Sequence, residues 1–361
     1  MRSIPKEIVC RVCNSDKNVI NLINFLPKRF SQFFLFSFRD LNTSSIFCKQ
    51  CGSLSFYNKK EINYKNGEYR NKSNQKLPID LPWSTITYKR HEGILRFINS
   101  AIPKKKKSDY EILDYGGYNG FCSYGICAKL GIPFSNAYIA DLDPNGLAIA
   151  SSLGLSIYDL GIRSLKEHLR NSERLFDLII AVQVLEHLQN PSNFFSEIKN
   201  NINSNGIIYI EVPSRFFFPL SDKSHLTTFS KEGMINLAEK NGFKLIKNKT
   251  SSTPKESILY GYPLSSEYEN QAFIFKLSGK NKNKSQVNIL KTKNSLKKFI
   301  FLAFISDIFL RLIITSNYLV LLNKNIKSFL KSIFLLFLAP IFIVFKIFNI
   351  FFKKGKNTTF L

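Results

Sequence analysis

This sequence has few acidic side chains and few histidines, and no export signal is recognisable at its N-terminus. Its 361 residues include 26 Asp and Glu against 51 Lys and Arg, a formal net charge of +25, and only four histidines. The N-terminus MRSIPKEIVCRVC has no apolar run of the length that a secretory signal needs. With only six cysteines in a chain of this length, these features predict a protein of a reducing, cytoplasmic compartment, where disulfides are disfavoured.

The positive charge is concentrated at the C-terminal end. Residues 276–361 contain 16 basic side chains and one acidic side chain, a net charge of +15. The same stretch is rich in Phe and Ile, which favours an anionic membrane surface over a nucleic-acid groove as its partner. A general bias of the sequence toward Lys, Asn, Ile and Phe explains part of this excess.

The chain divides into five stretches of different composition. They are a four-cysteine module (1–56), a connector with a helix from Thr87 to Ala101 that is expected to cover the substrate (57–108), an α/β domain (109–277), a polar basic linker (278–298) and an apolar region (299–361).

Short β-branched runs alternate with amphipathic stretches through residues 109–277, which is typical of a mostly parallel α/β sheet. Strands are predicted at 111–115, 137–141, 156–159, 176–182, 206–212, 243–249 and 271–277. Helices are predicted at 121–130, from Pro144 onward, and at 163–170, 192–203 and 231–241. The last two strands follow each other without a helix, which predicts a seven-stranded sheet whose last strand is antiparallel.

A glycine turn follows the first predicted strand. In ILDYGGYNGF, Asp114 ends the strand, and Gly116, Gly117 and Gly120 precede a helix. Glycines at this point let backbone N–H groups approach a ligand, and the helix N-terminus favours negative charge. Asp141 ends the second strand, where a carboxylate can accept hydrogen bonds from both hydroxyls of a ribose. Together these features predict a site for a nucleoside cofactor.

These residues resemble the first motif of the class I S-adenosylmethionine-dependent methyltransferases, and the resemblance spans about residues 109–277. In that family a strand and an acid precede G-x-G-x-G. Here Tyr118 stands in place of the middle glycine, where its side chain is expected to narrow the cofactor cleft. We expect the neighbouring Gly117 to supply the missing backbone flexibility.

Later segments resemble the remaining motifs of the family. Asp141-Leu-Asp-Pro144 matches the second motif, FDLIIAVQVLEHL the fourth, and NSNGIIYIEVP with HLTTFSKEGM the fifth strand and the helix after it. The resemblance implies a Rossmann-like fold, with Asp159 on the adenine amino group and Gln183 on the methionine side. It implies S-adenosylmethionine as the cofactor, with contacts from Asp114, Gly116, Gly117, Gly120, Asp141, Asp159 and Gln183.

Two other interpretations of the glycine turn remain open. A dehydrogenase also uses a glycine turn followed by an acid, but a nicotinamide fold needs neither the VLEHL segment nor the two closing strands. A degenerate domain that binds no cofactor is suggested only by Tyr118.

Methyl transfer to a hydroxyl, or to a carbon beside a carbonyl, requires a base, and histidine is suited to that role near neutral pH. His187 follows the fourth strand and His225 follows the fifth. The resemblance places the loop of His187 at the transferred methyl group, and the loop of His225 follows a strand end, where sites in such sheets lie. His225 or His187 is therefore the predicted base. His168, in the charged stretch KEHLR, is expected on the surface. The weaker candidates are His91, Tyr88 and Glu186.

Two Cys-x-x-Cys pairs stand near the N-terminus. Cys10 and Cys13 are separated from Cys48 and Cys51 by 34 residues, and Asn14 or Gly52 follows each pair. Two such pairs can place four thiolates around one tetrahedral Zn²⁺, which leaves no open coordination position. We therefore predict a structural zinc site. Disulfides are the alternative.

A zinc module ahead of this type of domain is similar to two groups of methyltransferases. One contains the zinc-binding sugar methyltransferases of bacterial surface-glycan clusters, and the other contains ribosomal-RNA methyltransferases with a small zinc finger. The paired cysteines and the VLEHL segment fit the sugar group better. The tyrosine-rich substrate segment of that group was not found, and no Asn-Pro-Pro-Tyr-like base-flipping motif follows the fourth strand.

The composition of the apolar region favours helices that lie on a membrane surface over helices that cross the bilayer. Asp307, Arg311 and Thr315 form a polar stripe on one predicted helix. The unbroken apolar run Ile333–Phe345 falls short of the roughly twenty residues that cross a bilayer. We expect peripheral association with the cytoplasmic leaflet. The alternatives are a transmembrane hairpin or a single transmembrane span, and soluble helices that bind a partner protein.

The sequence as a whole predicts an S-adenosylmethionine-dependent methyltransferase with structural Zn²⁺. Its expected acceptor is a sugar, either nucleotide-linked or lipid-linked, in surface polysaccharide biosynthesis. A quinone or lipid O-methyltransferase and an RNA methyltransferase are the alternative enzymes, with nucleic acid disfavoured as a partner. A non-catalytic binding subunit is the alternative outside the enzymes.

Overall fold

A computed structural model describes residues 9–16, 19–21, 45–57, 91–170, 174–213, 224–251 and 270–278. Apart from residue 278, the predicted linker and the apolar region lie outside these residues, as do Tyr88 and the start of the predicted connector helix.

The described chain forms eleven strands and six α-helices. The strands are β1 (Val19–Asn21), β2 (Ser45–Cys48), β3 (Leu54–Phe56), β4 (Ile112–Tyr115), β5 (Ala137–Asp141), β6 (Ser156–Asp159), β7 (Phe176–Val182), β8 (Ile202–Pro213), β9 (Thr227–Thr228), β10 (Phe243–Ser251) and β11 (Asn270–Leu277). The helices are α1 (91–98), α2 (Phe121–Leu130), α3 (Pro144–Ser152), α4 (Leu165–Leu169), α5 (Pro191–Ile198) and α6 (Lys231–Lys240).

Seven strands form one sheet in the order β10-β11-β8-β7-β4-β5-β6. Strands β4 to β8 pair in parallel, whereas β11 is antiparallel to both of its neighbours, β8 and β10. The Rossmann-like sheet with an antiparallel last strand is therefore confirmed. Because the order reverses direction beside β4, the loops after β4 and β7 meet at one edge of the sheet, the usual place for a ligand in such folds.

Both faces of this sheet are buried, and successive residues of its strands alternate between two cores. On β7, Leu178 and Ile180 belong to the core on one face, and Ile179 and Ala181 to the core on the other. Helices α1, α2 and α3 cover the first face, and α4, α5 and α6 cover the second. This period-two burial explains why the central strand β7 is apolar almost throughout.

Local capping signals set the helix ends. Asp143 accepts hydrogen bonds from the first turn of α3, and Pro144 occupies its first position. Ser164 and Glu167 form a capping box on α4. Helix α2 ends at Gly131, whose φ of 68° lies in the left-handed region that favours glycine.

One predicted helix is shorter than expected. The sequence pattern predicts a helix over 192–203, but α5 ends at Ile198 and β8 begins at Ile202, which pairs with Phe176. The stretch NNINSN, which begins at residue 200, has weak helix propensity. Pairing with β7 therefore outweighs continuation of the helix.

A second, four-stranded sheet has the order β1-β2-β3-β9. Its first three strands come from the cysteine module, but β9 belongs to the α/β domain and pairs antiparallel with β3 through Leu54 and Ser55. The module therefore shares a sheet with the domain. The sequence pattern predicts separate domains for residues 1–56 and 109–277 and does not predict this strand.

Within the part of the chain that the structure describes, no helix has both the length and the hydropathy needed to cross a bilayer.

Ser230 fixes the start of α6 against the cysteine module. Its buried hydroxyl accepts a hydrogen bond from the Gly233 N–H at 2.8 Å and donates one to the Cys51 carbonyl. We expect Ser230→Ala to lower the free energy of unfolding by about 2 kcal/mol, because a cap and a buried bond are lost together. Urea unfolding of the full chain measures this.

Ser164→Ala is the matched control, because Ser164 caps α4 in an exposed position. Its expected cost is about 0.5–1 kcal/mol. Equal losses in the two variants would contradict the interpretation that Ser230 joins the module to the domain.

Candidate active site

The turn after β4 is a bend with three residues in the left-handed region. The φ angles are 74° at Gly116, 48° at Tyr118 and 69° at Gly120. The expectation that Gly117 replaces the missing middle glycine is wrong, because Gly117 is not among the residues with positive φ and Tyr118 adopts that conformation itself. A bulky residue in this region is strained, which is typical of functional sites.

Close packing holds the bend in place. A Cβ on Gly116 would lie 2.4 Å from Val184 Cγ2, and one on Gly120 would lie 2.4 Å from Leu155 Cδ1. The ring of Tyr118 lies over Gly146 at the start of α3, where a Cβ would come within 2.3 Å of the ring. The Tyr118 side chain is therefore packed on α3.

Asp141 lies beside this bend, as the sequence predicts. Its Oδ2 accepts a hydrogen bond from the Tyr118 N–H at 2.8 Å, and its Oδ1 accepts one from the Asp143 N–H at 2.9 Å. Burial raises the pKa of Asp141, and the backbone N–H bonds oppose this effect. Asp159 is the register partner of Asp141 on β6, so two carboxylates end adjacent strands at this edge.

Asp114 lies beneath the bend and is buried. It accepts a hydrogen bond from Ser123 Oγ at 2.7 Å, and a Cβ on Gly117 would come within 2.8 Å of its Oδ2. Burial raises the pKa of Asp114 to about 6. These contacts suit a residue that shapes the bend. That Asp114 also contacts the cofactor stays a prediction.

The other two predicted cofactor residues end strands at the same edge. Asp159 Oδ1 accepts a hydrogen bond from the Gly161 N–H at 2.8 Å. Gln183, with a φ of 57°, donates from its side-chain amide to Asn270 Oδ1 at 3.0 Å. A non-glycine residue with positive φ after β7 is a second sign of a constrained site.

The two predicted base candidates lie together at this edge. The ring centroids of His187 and His225 are 4.9 Å apart. Their Nε2 atoms lie 3.9 and 4.0 Å from Oε1 of Glu186, which was one of the weaker candidates. The Glu186 carboxylate is only 1% exposed, whereas the imidazoles are 17% and 12% exposed. The pair therefore shares a buried carboxylate and keeps some contact with solvent.

The remaining histidines lie elsewhere. The ring of His91 on α1 is buried over Gly125 of α2, and burial lowers its pKa. His168 packs against Tyr158 and hydrogen-bonds the Asp159 carbonyl oxygen.

The sequence did not single out Glu211, another buried carboxylate at this edge. It lies near the end of β8, accepts a hydrogen bond from the Tyr209 hydroxyl at 2.7 Å, and its carbonyl accepts one from the Gln183 N–H. The sequence feature that could have identified it is that Glu211 is the single charged residue inside the apolar run IIYIEVP. Strand residues in such a run are buried, so a carboxylate there requires a partner.

The four predicted zinc ligands converge on one point. All four cysteines are buried and free, and their Sγ atoms lie within 4.8 Å of one another. The separations are 3.6 Å for Cys10 and Cys51 and 3.5 Å for Cys13 and Cys48. Four thiolates around Zn²⁺ at about 2.3 Å would lie about 3.8 Å apart, so the cluster fits a tetrahedral ion.

The two cysteine turns have the same backbone geometry. In each, the N–H four residues after the first cysteine donates to that cysteine's carbonyl, from Asn14 to Cys10 and from Gly52 to Cys48. Asn14 and Gly52 have positive φ angles of 58° and 72°. The first cysteine's own N–H then bonds the carbonyl five residues on, in both turns. Two equivalent knuckles thus face each other across the 34-residue insert.

The cysteine module also contacts the loops that carry the histidines. Arg11 donates hydrogen bonds at 2.7 Å to the carbonyl and side-chain oxygens of Gln189. The N–H of Phe56 donates to the Leu226 carbonyl, and the N–H of Leu226 donates to the Glu186 carbonyl. One run of backbone bonds therefore joins β3, the residue after His225 and Glu186.

Comparison with known proteins agrees with this geometry. Residues 86–248 match a family model described as a methyltransferase domain. No curated protein matches the chain.

Solved structures similar to this chain include three methyltransferases. An S-adenosylmethionine-dependent methyltransferase from Clostridium acetobutylicum has 12% identity and a TM-score of 0.41, covering 59% of this chain and 99% of its own. One from Archaeoglobus fulgidus has 16% identity and a TM-score of 0.40, covering 52% and 94%. Magnesium protoporphyrin IX methyltransferase from Synechocystis has 10% identity and a TM-score of 0.42, covering 60% and 96%.

The matched residues 86–248 include the bend, Asp141, Glu186 and the histidine pair. The chain therefore carries a methyltransferase domain, and it is a methyltransferase enzyme.

Proposed function

We propose that this enzyme transfers a methyl group from S-adenosylmethionine to a sugar, carried on a nucleotide or a lipid, in surface-glycan biosynthesis. The observation that carries the methyl-donor assignment is the position of Asp141, whose carboxylate is bonded to the bend at the switch point of the sheet. A carboxylate beside a glycine bend suits an adenosine whose ribose hydroxyls need acceptors.

Different residues at that edge of the sheet would contact different parts of S-adenosylmethionine. Asp141 would hold the ribose, Asp159 the adenine end and Gln183 the methionine end. Gly116, Gly117 and Gly120 would let the backbone of the bend approach the ligand, with Asp114 supporting it from below. S-adenosylmethionine supplies a methyl group already activated on a sulfonium. The protein therefore has to orient the acceptor and to remove the proton of the acceptor group.

His187 and His225 are the side chains that we assign to the acceptor. When bound, S-adenosylmethionine would supply its methyl group to the acceptor atom, and the electron pair of the carbon–sulfur bond would remain on sulfur. The acceptor's proton must leave. The pair can take that proton directly, as the sequence predicts, or hold a cation that lowers the pKa of the acceptor.

The sugar assignment is supported by the paired cysteines and the VLEHL segment, which resemble sugar methyltransferases. A quinone or lipid acceptor at the membrane is the second candidate, favoured by the apolar basic region 299–361. In both cases we propose that this region associates with the cytoplasmic leaflet. Incubation of the full chain with methyl-labelled S-adenosylmethionine and separate nucleotide-sugar, lipid-linked glycan and quinone fractions distinguishes these acceptors.

Asp141→Asn tests the donor site. Loss of a charged hydrogen-bond acceptor costs about 1.5–3 kcal/mol, so we expect at least about tenfold weaker binding of S-adenosylmethionine by calorimetry. Asp109→Asn is the matched control, because Asp109 is exposed and precedes β4 at the opposite end of the strand. Unchanged affinity in Asp141→Asn would remove the proposed ribose contact.

His225→Ala tests the acceptor side. We expect turnover to fall at least about tenfold, which corresponds to about 1.4 kcal/mol in the barrier, while affinity for S-adenosylmethionine stays within about twofold. Single-turnover methyl transfer and calorimetry measure the two quantities on the same sample. A parallel loss of both would indicate a structural role instead.

We further propose that Cys10, Cys13, Cys48 and Cys51 hold a structural Zn²⁺. The knuckle geometry and the sulfur separations support this assignment. Cys48→Ser is expected to lower zinc content by about one equivalent per chain and to reduce stability, because structural zinc contributes directly to folding.

Mass spectrometry of the metal and thermal unfolding check this expectation. Cys122→Ser is the control, because Cys122 lies on α2 outside the cluster. Full zinc content in Cys48→Ser would contradict the assignment.

A further inference from the structure

Glu186, His187 and His225 form a second group with metal-ligand chemistry, which we name the Glu-His-His cluster. Their ligand atoms lie within 4.8 Å of one another. The group combines a buried carboxylate with two imidazoles that retain some exposure. It belongs to the α/β domain and shares no residue with the four-cysteine site.

The hydrogen bond of His187 fixes which of its ring nitrogens can bind an ion. Its Nδ1 lies 3.2 Å from the Ser224 carbonyl oxygen, which can only accept, so the proton of a neutral ring is on Nδ1. The lone pair is then on Nε2, the atom that faces Glu186 at 3.9 Å. A backbone carbonyl on the far ring nitrogen is the usual outer partner of a metal-bound histidine.

The spacing within the cluster suits a shared ion better than direct contact. The Nε2 atoms of His187 and His225 are 3.9 and 4.0 Å from the same carboxylate oxygen, beyond hydrogen-bond distance. Ligand atoms at about 2.1 Å from one ion lie about 3.0–4.2 Å apart. Two adjacent imidazolium ions would also repel each other, whereas neutral imidazoles around a cation would not.

We propose that the Glu-His-His cluster binds a divalent transition-metal ion. Nitrogen and carboxylate ligands suit ions such as Mn²⁺, Fe²⁺, Co²⁺ and Zn²⁺, whereas the four thiolates select Zn²⁺. Three protein ligands leave coordination positions open, and the 17% and 12% exposure of the imidazoles leaves them accessible.

This inference rests on the proposed function for the role of the ion. An acceptor hydroxyl in an open position would lose its proton to solvent more easily, because a bound cation lowers the pKa of a coordinated oxygen. His187 and His225 then serve as ligands and not as bases.

Binding of Mn²⁺ to the zinc-loaded full chain tests the proposal without a turnover assay. Electron paramagnetic resonance follows the loss of the free-ion signal as Mn²⁺ binds. We expect one Mn²⁺ per chain, with affinity at least about tenfold weaker in His225→Ala and in Glu186→Gln, which keeps the shape of the buried side chain. His168→Ala removes a histidine outside the cluster and should leave Mn²⁺ binding unchanged.

Two outcomes would overturn the proposal. One is the absence of any Mn²⁺, Co²⁺ or Zn²⁺ bound beyond the ion of the cysteine site. The other is Mn²⁺ binding that is the same in wild type, His225→Ala and Glu186→Gln. Either result, with zinc content and circular dichroism unchanged, would return His225 and His187 to the role of direct base.

Calorimetry with S-adenosylmethionine on the same samples separates this proposal from the proposed function. If the cofactor binds and Mn²⁺ does not, only the metal inference fails. If Mn²⁺ binds and the cofactor does not, the donor assignment fails and the metal site stands.

Discussion

The hydrogen bond from the Tyr118 N–H to Asp141 is the contact on which the donor end of the site depends. It ties the bend after β4 to the end of β5, so the backbone of the bend and the carboxylate keep a fixed relation. Asp143, which bonds the other oxygen of Asp141, also caps α3, and the Tyr118 ring packs on that helix. Two strands and two helix starts are therefore positioned through one half-buried carboxylate, whose loss of contact with water is costly unless its oxygens accept hydrogen bonds.

The acceptor end depends on a different constraint, the shared sheet of the cysteine module and the domain. Pairing of β3 with β9 attaches the segment just after His225 to the sheet that carries the second cysteine knuckle. The Leu226 N–H bond to the Glu186 carbonyl then links that segment to the loop after β7. In this arrangement the proposed structural Zn²⁺ would contribute to the site without contacting substrate, because it would hold together the loops that carry the histidines.

The sequence predicts the sheet well because its signals are local. Four of the predicted elements, α2, β5, β6 and β7, coincide with the structure at both ends, because apolar runs and glycine or proline mark those ends. What it misses depends on distant partners. The two residues of β9 are a strand only because β3 lies beside them. The positive φ of Tyr118 is imposed by packing, and Glu211 becomes significant only once β8 is known to be buried.

The candidate site was predictable residue by residue but not as an arrangement. His187 and His225 are 38 positions apart in the chain, and the parallel pairing of β7 and β8, together with the Leu226–Glu186 backbone bond, brings their loops together. That juxtaposition changes the chemistry. A single imidazole suggests a base, whereas two imidazoles converging on one buried carboxylate oxygen suit a cation. The chain would then use two kinds of ligand set for two purposes. Four thiolates would close the coordination of a structural ion, and three mixed ligands would leave coordination positions open for an acceptor.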